Sequence, residues 1–169
     1  GEASNTVREG VQHKYRESAL ILTTNRCAMY CRHCFRKRLV GMSDEEITHH
    51  FFNVVSYIHE HKEISNVILS GGDALMLPTK TIIRYLTAFT GMEHLDLIRI
   101  ATRIPVVFPT RITEDSELQG ALLRYGRKKQ IYVVTQFNHP REVTDEAKQA
   151  LRTLLECGVA VKNQTVLLK

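Results

Sequence analysis

The 169-residue chain has no apolar run near the roughly 18 residues that cross a membrane, and no charged-then-apolar leader at its start. Neither a membrane span nor a secretory signal is expected, and the composition suits a cytoplasmic protein. Internal linkers, low-complexity stretches and repeats are missing too, and the length suits one domain with a full core. Four cysteines, four prolines and nine glycines are too few for a disulfide-dense mini-domain or a collagen-like chain, and 43% apolar content is too high for a disordered tail. The G-x-G-x-x-G signature of an open dinucleotide-binding sheet does not occur. The chain opens on Gly1 rather than Met, and Val161 to Lys169 is no polar tail. Both features suit a piece of a longer protein, with residues 1–14 an N-terminal extension and 15–169 a C-terminally truncated core.

Acidic residues are absent from one stretch. From Arg26 to Arg38 inclusive stand five basic residues and no Asp or Glu, and these five account for the whole net charge of +5. A local excess argues for one anionic site and against a spread nucleic-acid surface.

Five short apolar runs rich in β-formers are present: Ala19 to Thr24, Asn66 to Ser70, Leu97 to Thr102, Gln130 to Thr135 and Val159 to Leu168. Their continuity suits strands buried on both faces. Helical patterns separate them. Ser43 and Glu46 form a capping box ahead of an Ile47, Phe51, Val54, Val55, Ile58 stripe. Thr79 opens a second helix, Thr113 a third through Leu118, Leu122 and Tyr125, and Thr144 a fourth that ends at Gly158. The alternation predicts a parallel α/β sheet with right-handed crossovers. A polar or glycine-containing cluster follows each strand, as on the active face of a (β/α) barrel, so a barrel or partial barrel is expected.

Cys27, Cys31 and Cys34 form a C-x3-C-x2-C set in the loop after the first strand. Three close thiols in a cytosolic chain argue against a structural disulfide. Zinc would want four ligands, with His33 as the fourth. An iron-sulfur cluster held by three thiolates would leave one iron open to a substrate or cofactor, whereas electron carriers usually supply four cysteines. Cysteines without a metal role are the third reading.

The chain resembles the radical S-adenosylmethionine superfamily and, within it, the lysine 2,3-aminomutase family. The resemblance is carried by Cys27-Ala-Met-Tyr-Cys31-Arg-His-Cys34-Phe-Arg36, Leu69-Ser-Gly-Gly-Asp73-Ala-Leu75, Arg99-Ile-Ala-Thr-Arg103-Ile-Pro, Phe137-Asn-His-Pro140 and Gly158-Val-Ala-Val-Lys-Asn-Gln164, in family order from about Tyr15 onward. It implies a partial barrel of the radical S-adenosylmethionine type with its last strands missing. It also implies a 4Fe-4S cluster on Cys27, Cys31 and Cys34. One electron from that cluster splits S-adenosylmethionine to a 5′-deoxyadenosyl radical, which starts a 2,3-migration of an amino group on an amino acid.

By the same resemblance Gly71, Gly72 and Asp73 hold the cofactor's methionyl ammonium, and His33, Thr102, Gln136 and Gln164 make further contacts to it. The family commonly has His where this chain has Gln136. Arg36 matches the arginine that pairs with the substrate carboxylate, a task suited to a planar guanidinium fork. Lysine or a similar amino acid is the implied substrate, a flavodoxin or ferredoxin the external electron donor, and a homo-oligomer the assembly. Pyridoxal phosphate is implied for the full-length protein, but its lysine is not in this chain, and Ser18 stands where the family carries an arginine for that cofactor, with Arg16 nearby. Other features read as structural: Cys157 as a small core residue, His49, His50, His59 and His61 as an exposed polar face, and Glu60 to Glu63 and Arg127 to Lys129 as solvated charge runs. His139 is open between a structural and a functional role.

Overall fold

The computed structural model describes residues 5–34, 36 and 50–167. Seven strands form one open sheet in sequence order. β1 (Thr6–Arg8) and β2 (Val11–Tyr15) make an antiparallel hairpin, and β2 pairs antiparallel with β3 (Ser18–Thr24). From β3 onward every pairing is parallel, through β4 (Asn66–Gly71), β5 (Leu97–Ala101) and β6 (Gln130–Thr135) to β7 (Ala160–Asn163). The connections carry α1 (His50–Glu60), α2 (Thr79–Thr90), the single turns α3 (Ile104–Val107) and α4 (Thr110–Thr113), α5 (Ser116–Gly126) and α6 (Asp145–Glu156).

Parallel strands in unbroken order are the sequence of a barrel wall, whereas a doubly wound sheet reverses direction at a switch point. The sheet is open, as a partial barrel is. Its strands alternate: Ala19, Ile21, Val67, Leu69, Ile98, Ile100, Ile131 and Val133 are at most 2% exposed, and the residues between them are half-buried. Burial on both faces, expected from the continuous apolar runs, is therefore met on one face only among the described residues. That face packs on helical stripes such as Ile82, Tyr85, Leu86 and Phe89 of α2, spaced three and four apart as one side of a helix requires. Each such side chain contributes about 1.5–3 kcal/mol through burial.

The helix ends follow local chemistry. Thr144 caps α6 by accepting from the Ala147 N–H at 3.2 Å, and Gly158, at φ +75°, follows its C-terminus. α5 starts two residues later than expected, because Asp115 rather than Thr113 caps it, accepting from the Leu118 N–H at 2.8 Å. The last strand stops at Asn163 instead of Leu168. The Ser43–Glu46 capping box, Ile47 and His49 lie outside the described residues. His50 is 7% exposed and so belongs to the interior rather than to a polar face, while His61 is half-buried and stacks on Tyr57 with ring centroids 3.8 Å apart. Cys157 is buried at the core's edge, as expected of a small core residue. No helix among the described residues is long and apolar enough to cross a membrane.

Candidate active site

The C-terminal ends of the parallel strands surround a cavity of about 420 Å³. Five strand-end segments line it: Cys27, Cys31, His33, Cys34 and Arg36 after β3, Gly71, Gly72 and Asp73 at the end of β4, Thr102 after β5, Gln136 after β6 and Gln164 after β7. These eleven residues, marked from sequence for the cysteine set, the cofactor or the substrate carboxylate, thus line one cavity, although up to 137 positions of chain separate them (Cys27 to Gln164).

The Gly71-Gly72-Asp73 turn is built against the chain's own backbone. Gly71 has φ +113°, a conformation that side chains disfavour, and a Cβ there would fall on the Thr24 carbonyl oxygen. A Cβ on Gly72 would fall on the Arg26 carbonyl oxygen and 2.7 Å from its carbon. The close approach allows Gly72 N–H to donate to Thr24 O at 2.5 Å and Asp73 N–H to Arg26 O at 2.7 Å. The glycines therefore anchor the segment that leads into Cys27. Asp73, 5% exposed, accepts from the Thr102 hydroxyl at 2.5 Å, the Arg103 N–H at 2.6 Å and the Leu75 N–H at 3.0 Å. Burial pushes its carboxyl above the ordinary carboxylate range, against the pull of these hydrogen bonds.

Cys27, Cys31 and Cys34 are half-buried free thiols. Burial, followed by the charges of Asp73, Cys34 and Cys31, pushes Cys27 up to about 11. Among the described residues no three His, Cys, Asp or Glu side chains converge as the ligands of one metal ion. A single zinc needs four donors at about 2.0–2.3 Å from one point. Cys27, Cys31 and Cys34 all line the one cavity, so the donor set on offer there is three thiols. Polar atoms also stand ready: His33 Nε2 and Thr135 Oγ1 are buried without a hydrogen-bond partner among the described residues. Arg36 is half-buried, its Nη1 donating to Ser70 Oγ and its backbone N–H to Cys34 Sγ, both at 3.3 Å.

Two residues without an expected role are central. Arg103 donates from Nη1 to Cys31 Sγ and Met29 Sδ, both at 3.1 Å, from Nε to Gln136 O at 3.2 Å, and from Nη2 to Glu142 Oε1 at 2.7 Å. Glu142 is fixed in turn by the Asn138 N–H, which donates to its Oε2 at 2.7 Å. The sequence signal of Glu142 is only its position in a strand-end loop, and Arg103 adds to that its place in the Arg99-Ile-Ala-Thr-Arg103-Ile-Pro block. Gln164 is placed by its N–H donating to Thr135 O at 2.8 Å, and the adjacent Asn163 carboxamide ties Phe137 at 2.7 Å. His139 does not line the cavity; it is exposed and caps a 3-10 turn, accepting from the Arg141 N–H at 3.1 Å.

Fold and site define an α/β protein with a three-thiol loop at the strand C-termini of an open, mostly parallel sheet. Over 95% of its length the chain is a homologue of proteins named L-lysine 2,3-aminomutase, as its motifs suggested: it is 42% identical over 161 residues to that of Fusobacterium nucleatum and 38% identical over 161 residues to that of Clostridium subterminale. The glutamate 2,3-aminomutase of Clostridioides difficile is 38% identical over 159 residues, 94% of this chain. These matches cover 37%, 38% and 36% of the respective relatives, so the chain spans about two fifths or less of their length. No family model matches.

Proposed function

We propose that the protein, in its full reading frame, is a radical S-adenosylmethionine aminomutase that moves an amino group between adjacent carbons of lysine or a similar amino acid. The observation that carries this reading is the convergence of the three cysteines with Gly71–Asp73, Thr102, Gln136 and Gln164 on one cavity. The names of the relatives supply the reaction class.

Cys27, Cys31 and Cys34 would hold a 4Fe-4S cluster, and Gly71, Gly72, Asp73, His33, Thr102, Gln136 and Gln164 would face S-adenosylmethionine. When bound, the pair supplies a 5′-deoxyadenosyl radical from one electron delivered by a flavodoxin- or ferredoxin-type donor. Arg36, half-buried in the cavity lining, would bind the substrate carboxylate through its planar guanidinium. Asp73, with three donors already on its carboxylate, orients the loops after β4 and β5. Arg103 closes the wall between Cys31 and Gln136, and the half-buried setting limits water around a reactive species. Among the described residues no lysine lines the cavity, and Lys162 Nζ lies 4.4 Å from the Tyr132 ring centroid. These residues offer pyridoxal phosphate no imine-forming lysine.

The full-length protein, purified anaerobically, is expected to be brown, to absorb broadly near about 400 nm and to carry about four irons per chain. Dithionite and S-adenosylmethionine should then release 5′-deoxyadenosine, and lysine with pyridoxal phosphate should give β-lysine. The isolated 169-residue chain should release 5′-deoxyadenosine slowly and no β-lysine. A colourless protein with about one zinc per chain overturns the reading.

A further inference from the structure

We propose that Arg103, anchored by Glu142, sets how readily the three-cysteine site accepts an electron; the proposal rests on the cluster reading above. The guanidinium is 13% exposed and Glu142 25% exposed, so both charges sit largely out of water. The positive end is 3.1 Å from Cys31 Sγ, and the carboxylate lies on the other side of the guanidinium, 2.7 Å from Nη2. With Gln136 O holding Nε and Asp73 holding the backbone N–H, one residue joins the loops after β3, β4, β5 and β6. Such a four-way hold fixes the charge in place, which a flexible lysine on the same stem would do less well.

The physical effect follows from charge. An external low-potential donor adds one electron to the site, taking a 4Fe-4S group from its 2+ to its 1+ state, with no bond made or broken. The added negative charge is favoured by a fixed cation and by an N–H pointed at a ligand sulfur, and these are established determinants of cluster potential. The Glu142 carboxylate offsets part of the cation's field from further away. Two removals should therefore act with opposite signs. Loss of Arg103 leaves a bare carboxylate near the site, and loss of the Glu142 charge leaves an uncompensated guanidinium.

The test is a potentiometric titration of the reconstituted full-length protein, followed by electron paramagnetic resonance and carried out without S-adenosylmethionine. Arg103→Gln should lower the one-electron reduction equilibrium about tenfold, equivalent to a midpoint about 59 mV more negative. Glu142→Gln should raise that equilibrium by about threefold or more, the double variant should fall between the two, and Arg103→Lys should stay within about threefold of the parent. An unchanged midpoint in iron-loaded Arg103→Gln overturns the proposal, as does a shift of the same sign in both single variants, which would mark simple loosening of the loop. Arg103→Gln that only weakens S-adenosylmethionine binding, at an unchanged midpoint, also overturns it. If Arg103→Gln cannot load iron, Glu142→Gln decides by its sign alone. A parent protein without a cluster is detected before any variant is compared, and fails the functional reading itself.

Discussion

Gly72 stands where no side chain fits, and what excludes it is the backbone of Arg26, the residue before Cys27. Gly72→Ala should therefore cost about 2 kcal/mol in overpacking and displace the start of the cysteine loop. Iron content and apparent Tm are the measurements, and both should fall together with S-adenosylmethionine affinity. A glycine kept only to leave room for a ligand would predict the reverse: full iron, normal Tm and lost cofactor binding. Sequence showed that a glycine pair followed by a carboxylate ends this strand, because spacing and residue type are local. It did not show that the crowding comes from the chain itself, since that depends on the Thr24–Gly71 pairing across 47 positions. Arg103 and Glu142 were opaque for the same reason: an arginine in a strand-end loop is ordinary until a carboxylate 39 residues away turns it toward a cysteine.

Asp115 shows what decides an element's boundary. Thr113 and Asp115 can both cap a helix, and Asp is the stronger cap type of the two, against the expectation of Thr113. Thr79, whose hydroxyl donates to Asp115 Oδ2 at 2.5 Å, and Arg111, which pairs with the same oxygen, select the aspartate. Burial pushes the Asp115 carboxyl up, but the hydrogen bonds from Thr79, Leu118 and Arg111 and the Arg111 charge outweigh it and hold the group below the usual carboxylate range. A carboxyl lowered by folding stabilises the fold above its unfolded value of about 4, and that stabilisation is lost as pH falls through the lower folded value. Asp115→Ala should cost about 2 kcal/mol at neutral pH, with the gap to the parent closing below about pH 4. Apparent Tm across that range is the measurement, and a constant gap would count against the capping role. The β1–β2 hairpin was illegible at this scale. Its strands bury only Val11, so no apolar pattern announces it, and it is held by its ladder to β3.

At the scale of the molecule, the βα alternation made the strand order legible, because a helix separates each run from the next and successive parallel strands lie side by side. The covered and open faces of β3 and β4 were not legible, since apolar residues stand on both sides of each, Leu20 beside Ile21 and Ile68 beside Leu69. The consequence is a rigid wall with adjustable ends. β4 and β5 have a parallel partner on each side, and Val67, Leu69, Ile98 and Ile100 are at most 1% exposed. Their amides should exchange with solvent only through global opening. The cavity rim depends instead on side-chain ties between loops: Asp73 to Thr102 and Arg103, Arg103 to Cys31 and Glu142, and Asn163 to Phe137. A cluster on the three cysteines would add a further tie at one end of this network. Loading it should slow amide exchange in the cysteine loop and also in segments 72–73, 102–103 and 136–142, whose positions are set through Asp73 and Arg103. Exchange in α2 and α6, which pack on the far face of the sheet, should not change. Hydrogen exchange followed by mass spectrometry on metal-free and reconstituted protein measures each segment separately. Protection confined to residues 26–34 would mean that the strand-end loops respond independently, and that the Arg103 bridge does not transmit the order of the cysteine loop to its neighbours.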